Sequence, residues 1–288
     1  MSWKNVKTLL ILLLVAVNTV LAVFAFTYFK DANFTSKDTA VSAAEILAKS
    51  GIEVSPELLS VKNDAVDILS CEYTRETYLS LVASFLFGKE ADGIYLLPNG
   101  IQAETLEGES ILLGYDMSIS FTAEALDESI YDALHKATKT DPELAKGARK
   151  SLETLIAMPS GSLENAVCKS YGDYVFITVE QQENKLPIYN MSCVFGLKNE
   201  KIVYASGKHF FGVPETKESE QLLDRVNILF SEKERGMQGT VTDISLCYTL
   251  YEDASNNRML LIPSYLVTYA DRSSNAVNAI NKEKYQLP

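Results

Sequence analysis

"TDISLCYTL", Thr242 to Leu250, alternates strictly: Ile244, Leu246, Tyr248 and Leu250 are separated by Asp243, Ser245, Cys247 and Thr249. A period of two is the mark of a strand with one covered face. Just upstream the period is different. In "TKESEQLLDRVNILFSEKERG", Thr216 to Gly236, the apolar positions Leu222, Leu223, Val226, Leu229 and Phe230 fall on one helical face. Acidic residues crowd its start, and Lys233, Arg235 and Gly236 mark its end. Downstream, Asn256-Asn257 turns the chain into "MLLIPSYLVTYA", and "NAVNAIN" offers a short last strand. The unit is a helix followed by three antiparallel strands.

The same theme stands earlier in the chain. "DYVFITVEQ", "LPIYNMSCVFGLKNEKIVYASG" and "KHFFG" read as a strand meander with Lys198-Asn199-Glu200-Lys201 as a hairpin turn. In the first half, "TAVSAAEILAKSG" places Ala40, Val41, Ala44, Leu47 and Ala48 on one helical face, pairs Glu45 with Lys49 and stops at Gly51. A strand in "AVDILSCEYT" and a helix from Glu76 to Phe87 come next. The run "GIYLLPNGIQAETLEGESILLGYDMSISF", broken at Pro98-Asn99-Gly100 and at Gly108, reads as antiparallel strands. Helical patterns resume over Asp127 to Lys136 and Pro142 to Ile156, and "MPSGS", Met158 to Ser162, closes this half.

The N-terminus adds a different element. From Thr8 to Phe29 there is no charge, and 22 residues at about 1.5 Å each suffice for a hydrocarbon core of about 30 Å. This stretch predicts a transmembrane helix. Lys4, Lys7 and the terminal amine precede it, which favours a cytoplasmic N-terminus and a folded part outside. Trp3, Tyr28 and Phe29 bracket it as interfacial anchors do. Asn18 sits in its middle, where an amide loses water without gaining a partner from lipid. Asn18, Ala22 and Ala25 share one helical face, so that face is the expected contact with a partner helix.

The expected fold class is therefore α+β: an N-terminal transmembrane helix, then an extracytoplasmic region of two helix-plus-antiparallel-sheet lobes. The expected division is a cytoplasmic N-terminus and anchor over residues 1–29, a linker over 30–38, a first lobe over 39–158 and a second over 159–288. The expected localisation is the cell membrane, crossed once.

Charge and chemistry limit the function. Residues 31–288 hold 38 acidic side chains against 23 basic ones, an excess that argues against nucleic acid, whose phosphates need a basic footprint. Cys71, Cys168, Cys193 and Cys247 lie far apart in strand-like stretches with no paired spacing, as small apolar residues do. There is no GxSxG, HExxH, phosphate-loop or dinucleotide pattern. The two histidines, His135 and His209, have no acidic or metal-ligating neighbour in sequence. Glu104, Glu107 and Glu109 lack the dense spacing of a calcium loop and read as a solvated turn. Ser160 and Ser162 flank a glycine without a base in view. The residues point to a non-enzymatic protein with no metal and no cofactor.

Two stretches carry a resemblance. "MSWKNVKTLLILLLVAVNTVLAV", with Trp3, Lys7-Thr8 and Asn18, resembles the N-terminus of the YycH/YycI family of bacterial membrane regulators. "LIPSYLVTYADRSSNAVNAINKE", with Pro263, Tyr265, Val267 and Val277-Asn278-Ala279, resembles its closing strands and is similar to PepSY-like modules. Length and the single span suit the shorter YycI branch. Tyr265 stands where the family often has tryptophan, and Asn281 where a glycine commonly ends the last hairpin. The resemblance implies a membrane-anchored regulator of a cell-wall sensor histidine kinase of the YycG (WalK) type. It implies partners in that kinase, a YycH-like paralogue and membrane lipid. The other reading is an anchored domain that binds an envelope peptide or glycan.

Overall fold

The computed structural model describes residues 14, 17, 18, 35–61, 65–87, 89–123, 146, 147, 150, 152, 166–212, 214–253 and 255–280. Four helices are described from end to end: α1 (Lys37–Ala48), α2 (Pro56–Leu59), α3 (Arg75–Phe87) and α4 (Arg225–Glu234). The strands β1 (Ile52–Val54), β2 (Val66–Glu72), β3 (Gly93–Leu97), β4 (Gly100–Glu104), β5 (Ser110–Gly114), β6 (Ser118–Thr122) and β7 (Val167–Tyr171) occupy the first part of the chain. Then come β8 (Tyr174–Glu183), β9 (Leu186–Lys198), β10 (Lys201–Lys208), β11 (Glu215–Glu220), β12 (Gly239–Asp253), β13 (Arg258–Tyr269) and β14 (Ser274–Asn278).

The expected α+β arrangement of two helix-plus-antiparallel-sheet lobes is corrected by these pairings. Most of the described chain is strand, joined in a large mixed sheet. β1 runs parallel to the start of β12, Ile52 against Gly239, and Tyr248 of β12 pairs in parallel with Ile188 of β9. Parallel partners so distant in sequence leave no local signature, because the alternation fixes a face and not a neighbour. Part of the expected helix after residue 216 is also strand. β11 takes Glu215–Glu220, and the helix starts only where Asp224 caps it by accepting the Asn227 N–H at 2.7 Å.

The expected membrane anchor, and the single-pass localisation built on it, are corrected as well: among the described residues no helix is long and apolar enough to cross a membrane. The longest of them, α3, has 13 residues, about 20 Å at 1.5 Å per residue, which falls short of a hydrocarbon core of about 30 Å. Most of the stretch Thr8 to Phe29 lies outside the described residues. The expected helices over Asp127 to Lys136 and Pro142 to Ile156, save four residues of the latter, and the loop Met158 to Ser162 do so too.

The chain divides into two compact units. The first comprises residues 1–66, 219–245 and 265–288. In it Ser36 caps α1 through the Thr39 N–H at 3.2 Å, and the helix buries Ala40, Ala43 and Leu47. This face is rotated from the expected one, and Val41 is exposed. Gly51 ends the turn after α1 at φ +90°, as its place in the sequence predicts. Ser55 and Pro56 start the short α2.

The second unit comprises residues 67–218 and 246–264. Its strands β3 to β6 form an antiparallel meander, and β6 continues through β10, β9, β8 and β7. Side chains stack in rows across it. One row runs Ile94, Ala103, Ile111, Phe121; the next runs Leu96, Ile101, Leu113, Ile119. Residues opposite one another in a ladder share a face, so the rows define the covered side of this sheet. α3 contributes Tyr78, Leu79, Val82, Ala83 and Leu86 to the same core.

Candidate functional site

The rows end differently at their two sides. Ala103, Ile111 and Phe121 are buried, as are Ile101, Leu113 and Ile119, but the final members on β3 are not. Ile94 is 50% exposed and Leu96 79% exposed. Tyr95, on the opposite face, is also exposed. β3 pairs with β4 on one side, and among the described residues no strand pairs with its other side.

Local chemistry holds this edge in place. Asp92 fixes the entry to β3, donating its N–H to the Glu104 carbonyl at 2.9 Å while its carboxylate accepts the Leu106 N–H at 2.9 Å. Gly93 leaves room for the Tyr95 ring, whose hydroxyl lies 2.8 Å from where a Cβ at position 93 would stand. At the exit the Tyr115 hydroxyl donates to the Leu97 carbonyl at 3.0 Å. The Arg75 guanidinium lies 4.8 Å over the Tyr115 ring and bonds Glu252 at 3.3 Å. Leu106, at the tip of the β4–β5 turn, is 90% exposed.

The surroundings are acidic. Between Lys89 and Thr122 the sequence holds six carboxylates and one lysine, and that lysine is paired with Glu107. Glu104 accepts from Gln102, and Thr105 donates to Glu109 at 3.5 Å. Glu104 and Glu109 thus engage their own hairpin, and Glu107 engages Lys89. Asp116 is pushed down to about 2 by the Ser118 hydroxyl, then by Lys208 at 3.0 Å. An exposed apolar strand with one open side, set among carboxylates, is suited to bind an extended chain.

Two buried polar clusters lie elsewhere. In the second unit, the irregular segment after β10 is clamped by Gln181: its amide donates to the Phe210 carbonyl at 2.6 Å and accepts the Phe210 N–H at 2.8 Å. Tyr78 donates to the His209 carbonyl. The His209 ring sits edge-on to Phe195 and Phe211, its Nδ1 is buried without a hydrogen-bond partner, and burial pushes its pKa down to about 3. Such an imidazole is neutral at physiological pH and packs as an aromatic ring.

In the first unit Glu232 is fully buried and accepts from the Tyr269 hydroxyl at 3.2 Å, from Asn275 Nδ2 at 3.0 Å and from Arg235 at 3.5 Å. Burial and then the nearby carboxylate push the Tyr269 phenol up. Tyr265 is buried and donates to the Leu223 carbonyl at 3.1 Å, with the Arg225 guanidinium 5.9 Å from its ring. Tyr265, Tyr269 and Asn275 therefore serve packing and polar satisfaction in this unit.

Of the expected contact face, Asn18 is a helical, exposed residue, and Ala22 and Ala25 lie outside the described residues. His135, Ser160 and Ser162 lie outside them too. Cys71, Cys168, Cys193 and Cys247 lie in four different strands. Burial pushes the Cys193 and Cys247 thiols up to about 12. Among the described residues no group of three His, Cys, Asp or Glu side chains is placed to hold a metal ion. The β3 edge carries the one sequence signal that the strand reading leaves unused. Ile94-Tyr95-Leu96-Leu97 is an unbroken apolar run, which a strand with one solvated face does not need.

No family model matches the chain, and no curated protein matches it. Among solved structures, an uncharacterized protein from Eubacterium rectale is similar at 12% identity and a TM-score of 0.41, over 82% of this chain and 90% of that one. The Bacillus megaterium YpeB C-terminal domain is similar at 11% identity and a TM-score of 0.27, over 72% of this chain and 99% of that one. At these scores neither likeness carries an argument about family or function.

Proposed function

We propose that this chain is a non-enzymatic regulator of a sensor histidine kinase of the YycG (WalK) type. It works through protein contact, in company with a YycH-like paralogue, and is itself nearest to the YycI branch. The kinase assignment comes from the resemblance at the two ends of the sequence, at Trp3, Lys7-Thr8 and Asn18 and at Pro263, Tyr265, Val267 and Val277-Asn278-Ala279. The observation that supports a binding role is the β3 edge, where Ile94, Tyr95 and Leu96 stand exposed in succession. Soluble proteins seldom leave an apolar edge strand open unless something pairs with it.

Crosslinking of the tagged full-length chain in intact cells, followed by mass spectrometry, tests this reading. The expected products are the sensor kinase and the YycH-like protein. Recovery of neither, with the chain expressed at its native level, overturns it.

A further inference from the structure

We propose that the outer side of β3 is a strand-addition site, and that its occupant is an extended segment of a second protein in which a short apolar stretch is flanked by basic residues. The proposal rests on the binding reading above and names the chemistry of what is bound.

The first support is the pairing. β3 is hydrogen-bonded to β4 alone among the described residues, and an unpaired edge offers a row of backbone donors and acceptors to any extended chain that reaches it. Protected edges carry lysine, proline or a bulge. Gly93 to Leu97 carries no charge and no proline, and its register with β4 advances one residue at a time without a bulge.

Side chains supply the second support. Ile94 and Leu96 continue the two covered rows by one position beyond the point where cover ends. An added strand extends each row once more and sets alternate side chains beside these two. Tyr95 gives its intervening side chains a contact on the other face.

Charge decides the occupant. Of Glu90, Asp92, Glu104, Glu107, Glu109 and Asp116, Lys89 pairs with Glu107 and Lys208 with Asp116, which leaves an excess of four carboxylates around this meander. A second copy brings the same carboxylates to the junction, and like charges across an interface disfavour association, whereas basic flanks meet them favourably. The edge is thus matched to a basic partner and poorly matched to itself.

Fluorescence anisotropy on the full-length chain tests the site with a labelled peptide of alternating valine and threonine that ends in lysines. Binding is expected, with a loss of about tenfold or more when the lysines are replaced by glutamates, or when the protein carries Leu96→Lys or Ile94→Lys. Both substituted positions are exposed, and an unchanged melting midpoint is the check that each variant is folded. Backbone N-methylation on one alternate set of peptide residues is expected to abolish binding, and on the other set to leave it, because only alternate amides of a strand face its neighbour. Equal tolerance of both methylation sets overturns strand addition. Equal affinity of the glutamate-ended peptide overturns the basic partner, and so does a dimer of the chain that Leu96→Lys converts to monomer. Kinase crosslinking is read separately. Its absence in a chain that binds the peptide defeats the kinase assignment and leaves the edge site standing; its persistence in a chain that binds no peptide does the reverse.

Discussion

Leu96 and Ile101 are directly opposite across the β3–β4 pair and share a face, yet Leu96 is 79% exposed and Ile101 only 4%. One position along the ladder separates a core residue from a surface one. Ile101→Ala removes buried volume and is expected to cost about 2–5 kcal/mol, while Leu96→Ala is expected to stay within about 0.5 kcal/mol. Urea denaturation of the two variants measures the difference. Comparable losses would mean that something covers Leu96 in the folded chain.

Gln181 satisfies both backbone groups of Phe210 in a buried setting. Gln181→Leu keeps much of the volume and leaves that N–H and carbonyl without partners. Each unsatisfied buried group costs about 1–3 kcal/mol, so the expected loss for the two is about 2–6 kcal/mol. A denaturation midpoint equal to that of the parent chain would show that the clamp does not hold the segment.

His209 sets a pH dependence. Its pKa in the folded chain is pushed down to about 3 from an ordinary 6.5 by burial alone. Between those values the unfolded chain binds the proton and the folded chain does not, so stability rises with pH across the window. The contribution is complete above about 6.5 and is lost as pH falls towards about 3. His209→Phe keeps a ring beside Phe195 and Phe211 and removes the titration. Its melting midpoint is expected to fall less steeply than the parent's between pH 7 and pH 4. Parallel curves for the two chains would remove His209 from the account.

Glu232 is the buried acceptor for Tyr269, Asn275 and Arg235. Glu232→Leu strands the Tyr269 hydroxyl and the Asn275 amide, with an expected loss of about 3 kcal/mol. Glu232→Gln retains an acceptor and is expected to lose about 1 kcal/mol. Chemical denaturation ranks the two, and a glutamine variant as damaged as the leucine one would show that charge, not acceptance, matters there.

Local signals were readable in the sequence wherever one segment decided its own conformation. The alternation at Thr242 to Leu250 lies within β12, and the helix expected from Glu76 is α3 to within one residue. The turn at Asn256-Asn257 and the last short strand are also where the pattern puts them. Contacts between distant segments were not readable. Cys247, Tyr248 and Thr249 are buried in succession, so the middle of β12 is covered on both faces despite its two-residue period. The polarity of Thr249 gave no hint of this, since its hydroxyl lies 2.8 Å from that of buried Ser264. Charge misled the reading at Thr216 to Glu220, where acidic residues that suit a helix N-terminus belong to a strand. The β3 edge was legible as a strand, but its exposure depends on sheet order, which no local pattern encodes.

Two hairpins share a backbone feature that makes the last prediction. Asn199 and Glu200 join β9 to β10 at φ 51° and 64°, and Asn184 and Lys185 join β8 to β9 at φ 49° and 66°. Lys198 pairs with Lys201 and Glu183 with Leu186, so each loop has two residues. Two-residue loops with positive φ at both positions suit the twist of the flanking strands and favour asparagine followed by glycine. Here asparagine is present at the first position and the second carries a side chain that disfavours its own backbone. Glu200→Gly removes that penalty but adds freedom to the unfolded chain, and the two effects oppose each other. Relief of the left-handed conformation is worth about 1–2 kcal/mol and the added freedom costs about 0.5–1 kcal/mol, so a net gain of about 0.5–1 kcal/mol is expected. Lys185→Gly is expected to gain as much, and the double variant to show both gains added, because the 13 residues of β9 separate the two turns. Thermal melts of the three chains check this, and a lower midpoint for both single variants would mean that the side chains of Glu200 and Lys185 hold the turns by contacts stronger than the strain they impose.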